Sequence, residues 1–370
     1  MAAEPGDIPI ARQTVDLAGQ GDAERVLLDA YRSGRLPHAW LITGPRGIGK
    51  ATLAYRFARF LLAEGAGADP GLFGAKLPPE SLAVSADSSV FRRVAAASHP
   101  DLFAVERRYD DKRDRLRSEI VVDDVRDLGQ FLHLTPAEGG WRVAVIDSAD
   151  EMNRNSTNAV LKLLEEPPKR AVLLMVSHAP GGLLPTIRSR CRKLPLKSLG
   201  EADLAALLRR HAPDLDDGER QALARLSEGS IGRALELAAA GGLDLYRDLI
   251  GLFAQLPQLD PVAAHKFADR FGRKGQENAF ATAANLMAWW LGRAVRAGAT
   301  GRVPPEVVPG EAALAHRLIA AAGGDRRGLD RWLDLWDKVA RLVDRAEGAN
   351  LDRKLVFLNA LFGLEAAARG

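Results

Sequence analysis

The sequence predicts an α/β fold, a parallel sheet with helices on both faces, followed by an all-helical remainder. Three observations carry this. Apolar runs at 39–43, 141–147 and 171–177, each ending in a polar residue, alternate with helix-periodic segments, the pattern of βα repeats on a buried parallel sheet. A glycine-rich loop, Gly44-Pro45-Arg46-Gly47-Ile48-Gly49-Lys50, joins the first run to a helix, as in phosphate-binding loops. Beyond Leu199 no strand pattern recurs.

The elements follow in order. A helical pattern at 20–34 (Val26, Leu27, Ala30, Tyr31) leads through Pro37 into the strand at 39–43. After the loop, Ala54, Phe57, Ala58 and Leu61 share one helix face. Residues 64–98, rich in Ala, Gly and Pro, read as an irregular insertion. Segments 101–105 and 119–122 read as strands flanking a charged hairpin tip at 107–117, the tip expected to be a solvated loop, with a helix at 123–133 after them. The strand at 141–147 ends in Asp147; a helix at 156–164 is stopped by Pro167-Pro168; the strand at 171–177 ends in Ser177 and His178. Short helices are expected at 201–211, 219–227 and 230–239, with Ser230 as an N-cap. The rest is helical, with Trp332, Leu335, Trp336, Val339 and Val343 on one face and Leu355, Leu358 and Phe362 on the final helix.

At 370 residues the chain exceeds the usual single domain. Three are expected: an α/β nucleotide-binding domain at 1–199, a helical lid at 200–242 and a helical domain at 243–370. The net charge of +3 is compatible with nucleic-acid contact but too small to argue it. A single cysteine, Cys191, excludes an internal disulfide and a multi-cysteine zinc site. The first ten residues hold no apolar signal core, and no run approaches about eighteen apolar residues. Neither export nor membrane contact is expected, and a reducing cytoplasm is the expected home.

The nucleotide motif departs from its usual chemistry in two places. Ala51 follows Lys50 where a Ser or Thr hydroxyl should hold magnesium. Thr52 does not replace it, because one helical step turns the side chain by roughly 100°. Asp147 fits a strand-end magnesium ligand or, more plainly, an aspartate capping the next turn. Ser148 stands beside it, and a serine is no useful general base near neutral pH. Asp150 and Glu151 are the carboxylates close enough in sequence to substitute.

Further motifs give a resemblance. Asp147-Ser148-Ala149-Asp150, Asn158-Ala159-Val160-Leu161-Lys162, Leu164-Glu165-Glu166-Pro167-Pro168 and Thr186-Ile187-Arg188-Ser189-Arg190-Cys191, with Pro37-His38-Ala39-Trp40 upstream, resemble the clamp-loader branch of the AAA+ ATPases. The likeness is weakest in the last third. It implies a three-part AAA+ architecture in which the C-terminal helices form a collar joining subunits. Arg190, beside Ser189, matches the arginine finger that reaches a neighbouring subunit's ATP; the plainer alternative is a surface arginine at a helix end. Ser177 matches a polar strand-end sensor. Gly232 falls where active members carry a lid arginine, and Arg233 comes one place late. Cys191 reads as a small core filler. Many relatives insert a four-cysteine zinc module between the first helix and second strand; residues 64–98 supply no cysteine, so Pro78-Pro79, Leu72, Phe73 and Leu77 are candidates for packing that region.

The resemblance further implies gamma/tau-type and delta-type loader subunits, a sliding clamp and primer–template DNA as partners, within a DNA polymerase holoenzyme. No polymerase carboxylate constellation is present. Ala51, Ser148 and Gly232 together imply weak or absent hydrolysis of ATP. The residues at 44–50 with Ala51, Thr52, Ser177 and Asp147 are the candidate site for ATP or ADP with magnesium, and the sequence leaves open whether nucleotide is bound at all. The rival readings are an ATP-hydrolysing loader subunit, against which Ala51 and Ser148 speak, and a stand-alone replication or repair ATPase.

Overall fold

The computed structural model describes residues 10–65, 78–110, 115–273, 275–302, 305–321, 326–349 and 352–369. The described chain forms two compact units: residues up to Leu207 with Gly229–Gly232, and Leu208–Glu228 with residues from Arg233 onward. The three-part division at 199 and 242 remains a proposal beside this one.

In the first unit, α1 (Gly21–Arg32) precedes β1 (Ala39–Thr43), and α2 (Lys50–Gly65) follows the glycine-rich loop. Then come α3 (Ser89–Ala95), β2 (Leu102–Val105), a two-residue ladder of β3 (Tyr109–Asp110) with β4 (Arg115–Leu116), and α4 (Val122–His133). The chain continues through β5 (Arg142–Asp147), α5 (Arg154–Glu165), β6 (Ala171–Ser177), α6 (Pro185–Arg190) and β7 (Arg192–Pro195). Five strands form one parallel sheet in the order β2-β5-β6-β1-β7.

Strand alternation sorts the core into two layers. Trp40, Ile42, Val143, Val145, Val172 and Leu174 face α1, α2 and α3. Ala39, Leu41, Ala144, Ile146, Leu173 and Met175 face α4, α5 and α6, because successive side chains leave a strand on opposite faces. Central β6 is buried along its whole length, which is why it reads as one unbroken apolar run.

Four expectations are corrected. Segment 119–122 is not a strand: Ile120 makes an isolated bridge to Met152, and the Asp124 carboxylate accepts from the Val121 amide and turns the chain into α4. The charged hairpin tip is not wholly a solvated loop: its base is the β3–β4 ladder, beside which Arg107 pairs with Glu151 and Arg108 with Asp124; residues 111–114 lie outside the described residues. Edge strand β7 was not anticipated, since only Leu194 of its four residues is buried. The insertion contains α3, which the Ala/Gly/Pro composition masked. Ser88 caps it by accepting from the Phe91 amide, and Val90 and Val94 enter the core.

That region has no cysteine; in its described part, a partly buried polar cluster ties α3 to the rest of the unit. Arg93 makes a two-armed contact with Glu138. Asp101, 1% exposed, accepts from the Ala137 and Glu138 amides at 2.8 and 3.0 Å, and His99 and Arg142 complete the cluster. Gly65 and Gly140 meet so closely that a Cβ on Gly140 would stand 2.4 Å from the Gly65 Cα. Leu72, Phe73 and Leu77 lie outside the described residues.

The second unit takes the end of α7 (Glu201–His211), then α8 (Asp217–Leu226), most of α9 (Ile231–Ala239), α10 (Gly242–Phe253), α11 (Pro261–Ala268), α12 (Glu277–Thr300), α13 (Glu311–Ala321), α14 (Arg326–Ala349) and α15 (Arg353–Arg369). Helix α8 carries a full capping box from Asp216 and Glu219. Tyr246, Phe253, Trp290, Trp332 and Phe357 are buried, and the Tyr246 hydroxyl donates to Glu311 Oε1 at 2.6 Å. Trp332, Leu335 and Val339 are buried as expected, whereas Leu355 and Phe362 are exposed and Leu358 faces the core; the Val343 side chain lies outside the described residues. No helix among the described residues is long and apolar enough to cross a membrane.

Candidate functional site at the strand ends

Sheet register gathers the polar strand ends along one edge. Thr43 is the register partner of Ser177, and Asp147 that of Val176, so β5, β6 and β1 finish side by side where parallel sheets present ligand sites. The glycine-rich loop leaves β1 here and its last residue, Lys50, opens α2.

Three glycines give the loop its shape: Gly44, Gly47 and Gly49 have φ of 144°, 75° and 94°, values that side chains rarely tolerate. Ile48 is sunk in the core at 1% exposure, so only its backbone is offered to a ligand. Pro45 and Arg46 are exposed. Neighbours press on the loop from two sides. A Cβ on Gly49 would meet Leu17 at 2.9 Å, and one on Gly47 would meet the Ser230 hydroxyl at 2.3 Å. The Gly232 amide donates to the Gly47 carbonyl at 3.0 Å. Gly232, expected where a lid arginine would stand, is therefore packed backbone to backbone against the loop.

Lys50 is 3% exposed and folds back onto its own loop. Its Nζ donates to the Gly44 carbonyl at 2.7 Å and also to that of Pro45. Burial lowers its pKa to about 8, partly offset by the carboxylates of Asp147 and Asp150.

The acidic side is a hydrogen-bonded chain. Ser148 Oγ, 5% exposed, lies 3.3 Å from Asp147 Oδ1 and 2.7 Å from His178 Nε2. Burial raises the Asp147 pKa, with the Ser148 hydrogen bond working against it and Glu106 and Glu151 with it. Burial likewise brings His178 down to about 4, helped by Lys50 and Arg46, so its ring is neutral near pH 7. Asp150 is spent on structure. It accepts from Ser177 Oγ at 2.5 Å, from the His178 amide and from the Ala179 amide at 3.3 Å, closing the end of β6. Glu151 holds Arg46 at 2.9 Å and Arg107 at 2.8 Å.

These partners set what the site can do. Its backbone is shaped for an anionic phosphate, with the start of α2 behind it. The metal half fits poorly: Ala51 and Thr52 lie partly buried in the first turn of α2, Ala51 packs against the core, and of the acids Asp147, Asp150 and Glu151 the last two already hold amides or guanidinium groups. A magnesium ion would thus find the Asp147 carboxylate, a neighbouring Ser148 hydroxyl already bonded to His178, and no hydroxyl at position 51. Asp150 and Glu151, the candidate substitutes for a general base, are both committed elsewhere. Sequence spacing placed Asp147, Ser177 and the loop together; His178 as the partner of Ser148, and Ser230 and Gly232 as the loop's cover, carried no local signal because they come from other elements.

Arg190 is the last residue of α6. Its side chain is 37% exposed and pairs with Glu165 at 2.9 Å. Its Nη1 donates to the Thr186 carbonyl at 3.2 Å, which also accepts from Ser189 Oγ at 3.0 Å. Cys191, by contrast, is buried with Sγ 3.9 Å from Met175 Sδ, and burial pushes its thiol up to about 12.

A family model described as DNA polymerase III, delta subunit, matches residues 19–200. Over 204 residues the chain is 37% identical to DNA polymerase III subunit delta' of Pseudomonas aeruginosa, covering 55% of this chain and 56% of that one. It is 31% identical over 226 residues to DNA polymerase III subunit tau of Escherichia coli, covering 60% of this chain and 32% of that one. The match thus spans little more than half of the first relative and a third of the second. A solved structure of a DNA polymerase III gamma subunit-related protein from Thermotoga maritima aligns over 93% of this chain and 100% of that one, with a TM-score of 0.40 and 20% identity.

Proposed function

Since residues 19–200 belong to the DNA polymerase III delta-subunit family, we propose that this chain is a delta prime-type stator of the clamp loader, which supports ATP-dependent placement of a sliding clamp on primed DNA. Its partners are the gamma/tau and delta subunits, the clamp and, through the assembly, primer–template DNA in the cytoplasm. The chain itself hydrolyses ATP weakly or not at all. Its helical segments after Leu199 act as a lid and, from about residue 243, as a collar. The observation that carries the reading is the contrast between Arg190, exposed at a helix end, and a strand-end site whose Lys50, Asp150 and Glu151 are occupied by the chain's own groups. Arg190 acts as a finger on a neighbour's ATP, where a planar, permanently charged guanidinium offers paired donors to phosphate oxygens.

Reconstituted complexes test this. Arg190→Ala is expected to leave folding and assembly intact while lowering clamp- and DNA-stimulated ATPase. Fingers in trans contribute about 10³ to 10⁵ in rate at a single site, and sharing of turnover among sites in a ring makes the visible loss smaller. Arg190→Lys should not rescue, lacking the fork. The isolated chain should turn over ATP no faster than a Lys50→Ala control. Wild-type loading by the Arg190→Ala complex would overturn the stator reading. Turnover by the isolated chain would favour the ATP-hydrolysing loader subunit instead.

A further inference from the structure

We propose that Glu165 is a positioning residue for Arg190, holding the guanidinium in the orientation from which it reaches a neighbouring subunit's nucleotide; this rests on the finger reading above. Glu165 is the last residue of α5 and Arg190 the last of α6, so two helix ends from different parts of the chain converge on one guanidinium. Arg190 is fixed at two points: Nη2 lies 2.9 Å from Glu165 Oε1, and Nη1 donates to the carbonyl of Thr186, one turn back on its own helix. A guanidinium carries five N–H donors in one plane. Two contacts on that plane fix its tilt while the side chain stays 37% exposed, so it remains accessible to a partner.

The pair is not there for stability. Its partners are 37% and 50% exposed, and ion pairs so open to water contribute little to folding. What it supplies is restraint on a side chain whose long flexible stem otherwise loses much rotamer freedom when it engages phosphate. It also imposes no lock. One carboxylate contact yields readily to the several oxygens of a phosphate chain, which compete for the same donors. The carboxylate therefore orders the arginine before docking and costs little when the nucleotide arrives. Pro167 and Pro168, just past α5, cannot continue a helix, so the segment ends where its last acid faces α6.

Steady-state ATPase of the reconstituted loader, saturated with clamp and primed DNA, tests the proposal. Glu165→Ala should lower kcat about fivefold with KM for ATP unchanged, and Glu165→Gln, which keeps an oxygen acceptor without the charge, should recover part of the loss. In the Arg190→Ala background Glu165→Ala should cause no further loss, because a positioning residue acts only through the group it positions. Melting of each variant chain and its retention in the complex check folding. Wild-type kcat for Glu165→Ala beside a slow Arg190→Ala complex overturns the positioning role and leaves the finger standing. A loss that adds to that of Arg190→Ala overturns it too, since Glu165 then acts elsewhere. No effect of Arg190→Ala removes both ideas together.

Discussion

The amide of Gly232 donates to the carbonyl of Gly47 at 3.0 Å, and a Cβ on Gly232 would stand 3.0 Å from the Gly47 Cα. The start of α9 and the glycine-rich loop are thereby fitted to each other as bare backbone. The two glycines should nevertheless respond differently. Gly47 has φ of 75°, and its Cβ would strike the Ser230 hydroxyl, so Gly47→Ala should lower stability by about 1–3 kcal/mol. At Gly232, in helical backbone, the gain of about 1 kcal/mol in helix propensity offsets the tight contact, so Gly232→Ala should lie within about 1 kcal/mol of wild type. Urea denaturation measures both; equal midpoints would show that the loop yields freely.

Repairing the motif should help binding before it helps turnover. Ala51→Thr with Ser148→Glu returns a hydroxyl for magnesium and a carboxylate for water, and removing a general base commonly costs about 10² to 10⁴ in rate. Ser148, however, is buried and bonded to His178 at 2.7 Å, and a glutamate there must push past that ring. Magnesium-dependent nucleotide affinity should rise in the double variant, while turnover stays near background until His178→Ala is added. Full turnover without the third change would remove His178 as an obstacle. Unchanged affinity would argue against Asp147 as a metal ligand.

Lys50 should titrate far below an ordinary lysine. Burial holds its amine at about 8 against the usual 10.5, so the folded chain binds this proton less tightly than the unfolded one. Stability should therefore rise as pH climbs from about 8 to 10.5, and Lys50→Met should flatten that rise. An anion seated in the loop favours the charged amine and should move its titration upward. The ¹³Cε shift of Lys50 with and without inorganic pyrophosphate reads this directly. A titration near 10.5 in the free chain would mean that the amine is solvated and not folded onto Gly44 and Pro45.

Acid should loosen the cluster beneath α3. The Arg93 hydrogen bond holds the Glu138 carboxyl below the usual carboxylate range, and burial, with Arg93 nearby, lowers His99. Both groups thus bind protons less tightly when folded. Their contributions are complete above their ordinary values of 4.5 and 6.5 and fade as pH falls through each folded pKa. Urea midpoints should decline from about pH 6.5 downward, and His99→Gln should remove the upper part of that decline while Glu138→Gln removes the lower. Parallel profiles for wild type and both variants would place the acid sensitivity elsewhere.

The sequence by itself determined what depends on local order along the chain. The alternation of apolar runs with helical periods pointed to the parallel sheet, because a strand buried on both faces is apolar along most of its length, as Val143–Ile146 and Ala171–Val176 are. The loop at 44–50 was legible because its glycines and lysine act within one turn of each other, and Ala51 and Ser148 were visible as missing chemistry for the same reason. What tertiary structure decided are the partnerships between distant segments. Asp150 could have served as a base; instead it closes β6 by binding Ser177, His178 and Ala179, a choice made by sheet register 27 residues away. Gly232 looked like a lost arginine and is a contact surface for Gly47. Helix α3 was hidden because its cap and three buried residues count only once the core exists to receive them. Arg190 was a candidate from its neighbours in sequence alone, but Glu165, which pairs with it, is 25 residues earlier, and only the meeting of two helix ends brings the charges together.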